Sequence, residues 1–64
     1  MKYVLGEPPR GNSDAFDALE NVFSGDEFSR SEAEEVLREV LDLESSEASS
    51  EFSRLLRNKA IEEA

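Results

Sequence analysis

The stretch from Ser29 to Leu43 constrains this 64-residue chain more than any other. Ala33, Val36, Leu37, Val40 and Leu41 follow the i, i+3, i+4, i+7, i+8 spacing that lines up apolar side chains on one stripe of an α-helix. Glu34, Glu35, Arg38, Glu39 and Asp42 fall on the other side. Ser29 with Glu32 has the spacing of a capping box, and Phe28 before the cap is placed to pack on Ala33 as a hydrophobic staple. A helix with a single apolar stripe is stable only when neighbours cover it, so the rest of the chain is expected to pack around this one.

Those neighbours are readable in order. Met1 to Leu5 reads as a short strand stopped by Gly6, and Glu7 to Ser13, with Pro8, Pro9 and Gly11, reads as a stiff linker. Asn12 or Ser13 caps a first helix, Asp14 and Asp17 sit in its first turn, and Ala15, Phe16, Leu19, Val22 and Phe23 make its stripe. Gly25 suits the left-handed position after that helix, and Phe28 forms a single extended step that pairs with another short strand. Beyond the serine-rich turn from Glu44 to Ser50, Ser45 or Ser46 caps a third helix with the stripe Ala48, Phe52, Leu55 and Leu56, ended by a left-handed Asn58. Ala60 to Glu62 reads as a second strand paired with Lys2 to Leu5, with Ile61 inward. The expectation is a mainly α fold: one domain over residues 1–64, three helices, and a small two-stranded sheet formed by the N- and C-terminal ends. Its expected core is Val4, Phe16, Leu19, Val22, Phe23, Phe28, Val36, Leu37, Val40, Leu41, Phe52, Leu55, Leu56 and Ile61.

Charge narrows the class of protein. Sixteen acidic residues against seven basic ones give a net charge of −9, and only Lys2 and Lys59 among the basic residues are lysines. Repulsion among so many carboxylates opposes compaction until salt screens it, and at molar salt the Debye length is only about 3 Å. A carboxylate-rich, lysine-poor surface resembles the proteins of halophilic archaea, which implies dependence on high salt. The longest apolar run, Tyr3 to Leu5, is three residues, so no membrane span or signal peptide is legible and a soluble, cytoplasmic chain is expected.

Catalysis is poorly supported. With no His and no Cys, the usual nucleophile–base pairs and the physiological proton shuttle are missing. Glu34, Glu35, Glu39 and Asp42 read as a solvated helix face rather than as an acid–base pair. Asp26 and Glu27 lie near a glycine turn, but the alternating acidic pattern of a Ca²⁺ loop is absent. The chain is read as non-enzymatic, with no cofactor and no dedicated metal site.

One segment runs against the acidic background. Asp14 to Glu51 carries thirteen acidic and two basic residues, whereas Phe52 to Ala60 has no acid and three cations, Arg54, Arg57 and Lys59. Ser50, Ser53, Arg54 and Arg57 share the spacing of one outward helix face. Hydroxyls and guanidinium forks grip phosphates, and arginine can read guanine in a major groove. The structural reading of the same residues is that cations near a helix C-terminus offset its dipole and that Glu51 pairs with Arg54.

The order of elements resembles a winged-helix or helix-turn-helix domain. The segment from Glu27 to Leu37 (EFSRSEAEEVL) resembles the short strand and second helix of such modules, and Ser49 to Glu63 (SSEFSRLLRNKAIEE) resembles the recognition helix and the turn into the first wing strand. The resemblance covers about two-thirds of the chain. It implies that Ser50, Ser53, Arg54 and Arg57, with Lys59 beyond them, face a DNA groove, and that the chain is a small regulatory DNA-binding domain working as a dimer or inside a complex. The alternative is a protein–protein interaction module that docks on apolar surface left over at Tyr3, Leu43 or the far side of Phe23.

Overall fold

The computed structural model describes every residue except Asn12, so the alternative N-cap expected there lies outside the described residues. The elements are a strand β1 (Tyr3–Leu5), helices α1 (Asp14–Phe23), α2 (Arg30–Leu41) and α3 (Ser45–Arg57), and a strand β2 (Ile61–Glu63). The three helices surround one apolar core, and the two strands pair antiparallel with Tyr3 opposite Glu63, Val4 opposite Glu62 and Leu5 opposite Ile61. This is the three-helix fold with a small terminal sheet that the hydrophobic pattern predicts. Among the described residues no helix is long and apolar enough to cross a membrane.

Capping chemistry sets the helix starts. Ser13 accepts from the Phe16 amide at the head of α1. At α2 the full capping box forms: the Ser29 amide donates to Glu32 Oε1 at 2.9 Å and the Glu32 amide to Ser29 Oγ at 3.1 Å. Helix α3 departs from expectation. Its cap is Glu44, one residue before the serines, and the Glu44 amide donates to Glu47 Oε1 at 3.0 Å.

Two helix ends also differ from the reading of the sequence, for backbone reasons. Helix α2 stops at Leu41 because Asp42 takes a left-handed conformation (φ 56°), which a short polar side chain tolerates, and this frees Leu43 from the helix. At the end of α3 the left-handed residue is Lys59 (φ 64°) rather than Asn58. The Ala60 amide reaches back to the Leu55 carbonyl at 2.9 Å and the Lys59 amide to that of Leu56 at 3.2 Å, a Schellman pattern that places the left-handed residue one step beyond the cap.

The core keeps most of the expected residues and rejects three. Val22 and Val40 are 52% and 57% exposed. On α2 the buried face is rotated toward Leu37 and Leu41, because α3 returns on the side where Arg30 and Glu34 are half-buried, leaving Val40 on the flank. Val22 lies in the last turn of α1, where Phe23 turns in instead and stacks on Phe28 at 4.5 Å. In β1 the alternation is one residue out of step with expectation: Tyr3 is buried and meets the Phe52 ring edge-on at 5.1 Å, while Val4 is only half-buried. Strand side chains alternate between faces, so with Tyr3 buried and Leu5 packed half-buried on the core, Val4 turns to the other side. Tyr3 is therefore core and not leftover surface.

The sheet is wider than its named strands. The Tyr3 amide donates to the Phe28 carbonyl at 2.8 Å and the Phe28 amide to that of Tyr3 at 2.9 Å. Strand β1 thus lies between Phe28 and β2, and Phe28 makes the extended step predicted for it. The pairing continues past β1, with the Gly6 amide on the Ala60 carbonyl at 2.7 Å and the Glu7 amide on that of Lys59 at 3.3 Å. The start of the proline linker is thereby tied to the turn that follows α3.

Candidate nucleic-acid interface

Helix α3 is anchored from below by Ala48, Phe52 and Leu55, all buried. Side chains from α2 fix it sideways: Arg38 Nη1 donates to Ser45 Oγ at 3.4 Å, and Arg30 makes the larger contact. Arg30 lies over the Phe52 ring, 4.6 Å from its centroid, and its Nη2 donates to Ser49 Oγ at 3.0 Å, to the Ser49 carbonyl at 3.3 Å and to Ser53 Oγ at 3.1 Å. Its Nε donates to Glu34 at 2.6 Å, so the guanidinium is held on both edges. This clamp joins two helices through charge-assisted hydrogen bonds and a cation–π contact.

The clamp decides what the candidate residues can do. Ser53 is half-buried and accepts from Arg30, so it faces α2 and positions the helix rather than presenting a hydroxyl outward. Ser50, Arg54, Arg57 and Lys59 are exposed. Arg54 Nη2 donates to Glu51 at 2.8 Å, the pairing expected from their spacing, and most of its side chain still reaches solvent. The ion pairs among the described residues are this one, Arg30 with Glu34 and Lys2 with Glu32, which leaves Arg57 and Lys59 unpaired.

The structure adds Arg10, which the spacing along α3 does not reveal. It lines a groove with Glu7, Pro8, Pro9 and Asn58, the residue between Arg57 and Lys59 in the chain. A signal for it existed: if β1 pairs with β2, the residues just after the first strand must run beside those just before the second. Arg10 also has no ion pair among the described residues. At the head of α2 the Glu32 carboxyl is held below the usual range, first by the hydrogen bond from the Ser29 amide, then by the Ser29 hydroxyl and Lys2. Among the described residues no three His, Cys, Asp or Glu side chains converge to hold a metal ion.

No family model matches the chain, and neither a curated protein nor a solved structure matches it.

Proposed function

We propose that the chain is a small helix-turn-helix-like DNA-binding domain of a regulatory kind that works at high salt. The observation that carries the reading is the exposed end of α3, where Arg57 and Lys59 flank Asn58 with no ion pair among the described residues, in a chain of net charge −9. Lys59 adds weight to it. A left-handed position after a helix favours glycine, and a bulkier residue there costs stability. In this reading the lysine is kept there for its ammonium, although Ser24 and Asp42 take the same conformation after α1 and α2.

In this reading Arg54 and Arg57 contact phosphates or base edges, Ser50 adds a hydroxyl, Lys59 and Arg10 hold the backbone beside them, and Ser53 with Arg30 sets the angle of the helix. Repulsion from the remaining carboxylates is short-ranged at molar salt, so a local patch suffices there. A titration of the isotopically labelled domain with mixed-sequence duplex DNA in high KCl tests it. The amides of Ser50 to Lys59 should shift, and replacing Arg57 and Lys59 with Glu should abolish the shifts with helix content unchanged. Each lost phosphate contact should also reduce the slope of log K against log salt by about one. Unshifted amides across that segment would exclude the reading.

A further inference from the structure

We propose that a second surface, the groove around Leu43, docks a cationic amphipathic segment of a partner protein. The groove runs from the N-terminus of α1 across the α2–α3 junction and along the first half of α3, and Leu43 and Glu51 line it throughout. Its floor is apolar, with Leu41 and Leu43 half-buried beside Ala15. Its rim is anionic, with Asp14 at one end, Glu51 in the middle and Glu47 at the other. The one cation on that rim, Arg54, is already bonded to Glu51.

The backbone explains why Leu43 stays at the surface. It is caught between the left-handed Asp42 and the cap Glu44, so it can neither extend α2 nor enter α3. Leu43 packs part of its side chain on the core and leaves the rest at the surface, where two acids flank it in sequence. An apolar floor inside a carboxylate rim fits a helix that brings leucine-like side chains at i, i+3 and i+4 with Lys or Arg alongside. The groove shares Ser50 and Arg54 with the face assigned to DNA, but its anchors Leu41, Leu43 and Glu47 lie outside that face, so it does not rest on the DNA-binding reading.

The probe is a synthetic amphipathic peptide of leucine and lysine, about 15 residues or four helical turns long. It is titrated into the labelled chain near 1 M KCl, where unpaired surface charges are screened beyond about 3 Å. Saturable shifts confined to Ala15, Leu41, Leu43 and the Ser46 to Glu51 face are expected. Glu47→Gln, which removes the rim charge but keeps an acceptor for the Glu44 amide, should weaken binding severalfold, and Leu43→Ser, checked for retained helix content because Leu43 also packs on the core, by about tenfold. A lysine-only peptide of equal charge that binds equally well, shifts scattered over the whole acidic surface, or an unchanged affinity for both variants would overturn the proposal. So would concentration-dependent shifts of the same amides without peptide, which would assign the groove to a second copy of the chain.

Discussion

The two halves of α3 rest on the same buried stripe and face solvent with opposite charge. The first half carries Glu47 and Glu51 among serines; the second carries Arg54 and Arg57 and no acid. Part of this asymmetry belongs to the helix itself, since acids near the N-terminus and cations near the C-terminus both offset the dipole. That account covers Glu47 and Arg57. It leaves Arg10, which precedes α1 and meets the end of α3 only in the groove at Asn58, and Leu43, which lies before the start of α3 and carries no charge. The residues outside the helix are therefore the ones that test whether α3 carries the two proposed surfaces or is only a stable helix.

Salt should act on the whole fold and break the symmetry of the comparison most visibly. Diluting KCl from molar to millimolar should loosen or unfold the chain, read by circular dichroism and melting temperature, as repulsion among the sixteen carboxylates loses its screening. Changing Glu47 and Glu51 to Gln should flatten that dependence, and changing Arg57 and Lys59 to Gln should steepen it. A melting temperature indifferent to salt would remove the high-salt reading altogether.

Phe52 sits where the two halves meet, under Tyr3 and Arg30, and is fully buried. Phe52→Ala should cost ~3–5 kcal/mol in denaturant melts, close to the whole stability of a domain this size. A loss under about 1 kcal/mol would mean the halves are held together elsewhere. Val40→Ala, by contrast, should change stability by less than about 0.5 kcal/mol, because its side chain is already mostly in water.

That contrast marks how far the sequence could be read. Helical spacing located all three helices, because a stripe with a cap before it and a breaker after it admits few alternatives. It does not say which flank of a stripe is covered, since that depends on where the next helix returns; hence Val22 and Val40 share the spacing of the core yet lie outside it. Three residues of strand offer too little alternation to fix a register, and Tyr3 and Val4 exchanged places. The candidate site was half legible. Arg54 with Glu51 follows from spacing, whereas the Arg30 fork that turns Ser53 inward spans two helices and leaves no local trace.

Lys59 allows the functional and structural accounts of the cationic half to be set against each other. Lys59→Gly relieves the left-handed backbone and should stabilise the fold by about 0.5–1 kcal/mol. If Lys59 holds a phosphate, the same change should weaken DNA binding and lower the salt slope by about one. Stability and binding then move in opposite directions. Equal binding by the two proteins would reduce Lys59 to a strained turn residue.

The smallest effect concerns Glu32, which occupies in α2 the place that Glu47 holds in α3, the third position after the cap. Its carboxyl titrates below the ordinary range because its charged form accepts the Ser29 amide bond. A folded-state value below the unfolded one means the added stability is present above the unfolded value and disappears as pH falls through the folded value. Acid titration monitored by melting temperature should therefore show a loss at the acid edge of the carboxylate range that Glu32→Gln removes. Ser29→Ala, which removes the hydroxyl half of the box, should reduce that loss without abolishing it. The comparison with α3 is then direct. If Glu47 serves only as a cap, Glu47→Gln should leave peptide binding at the Leu43 groove unchanged, as Glu32→Gln does. If it also forms the rim of that groove, Glu47→Gln should weaken the peptide while Glu32→Gln does not.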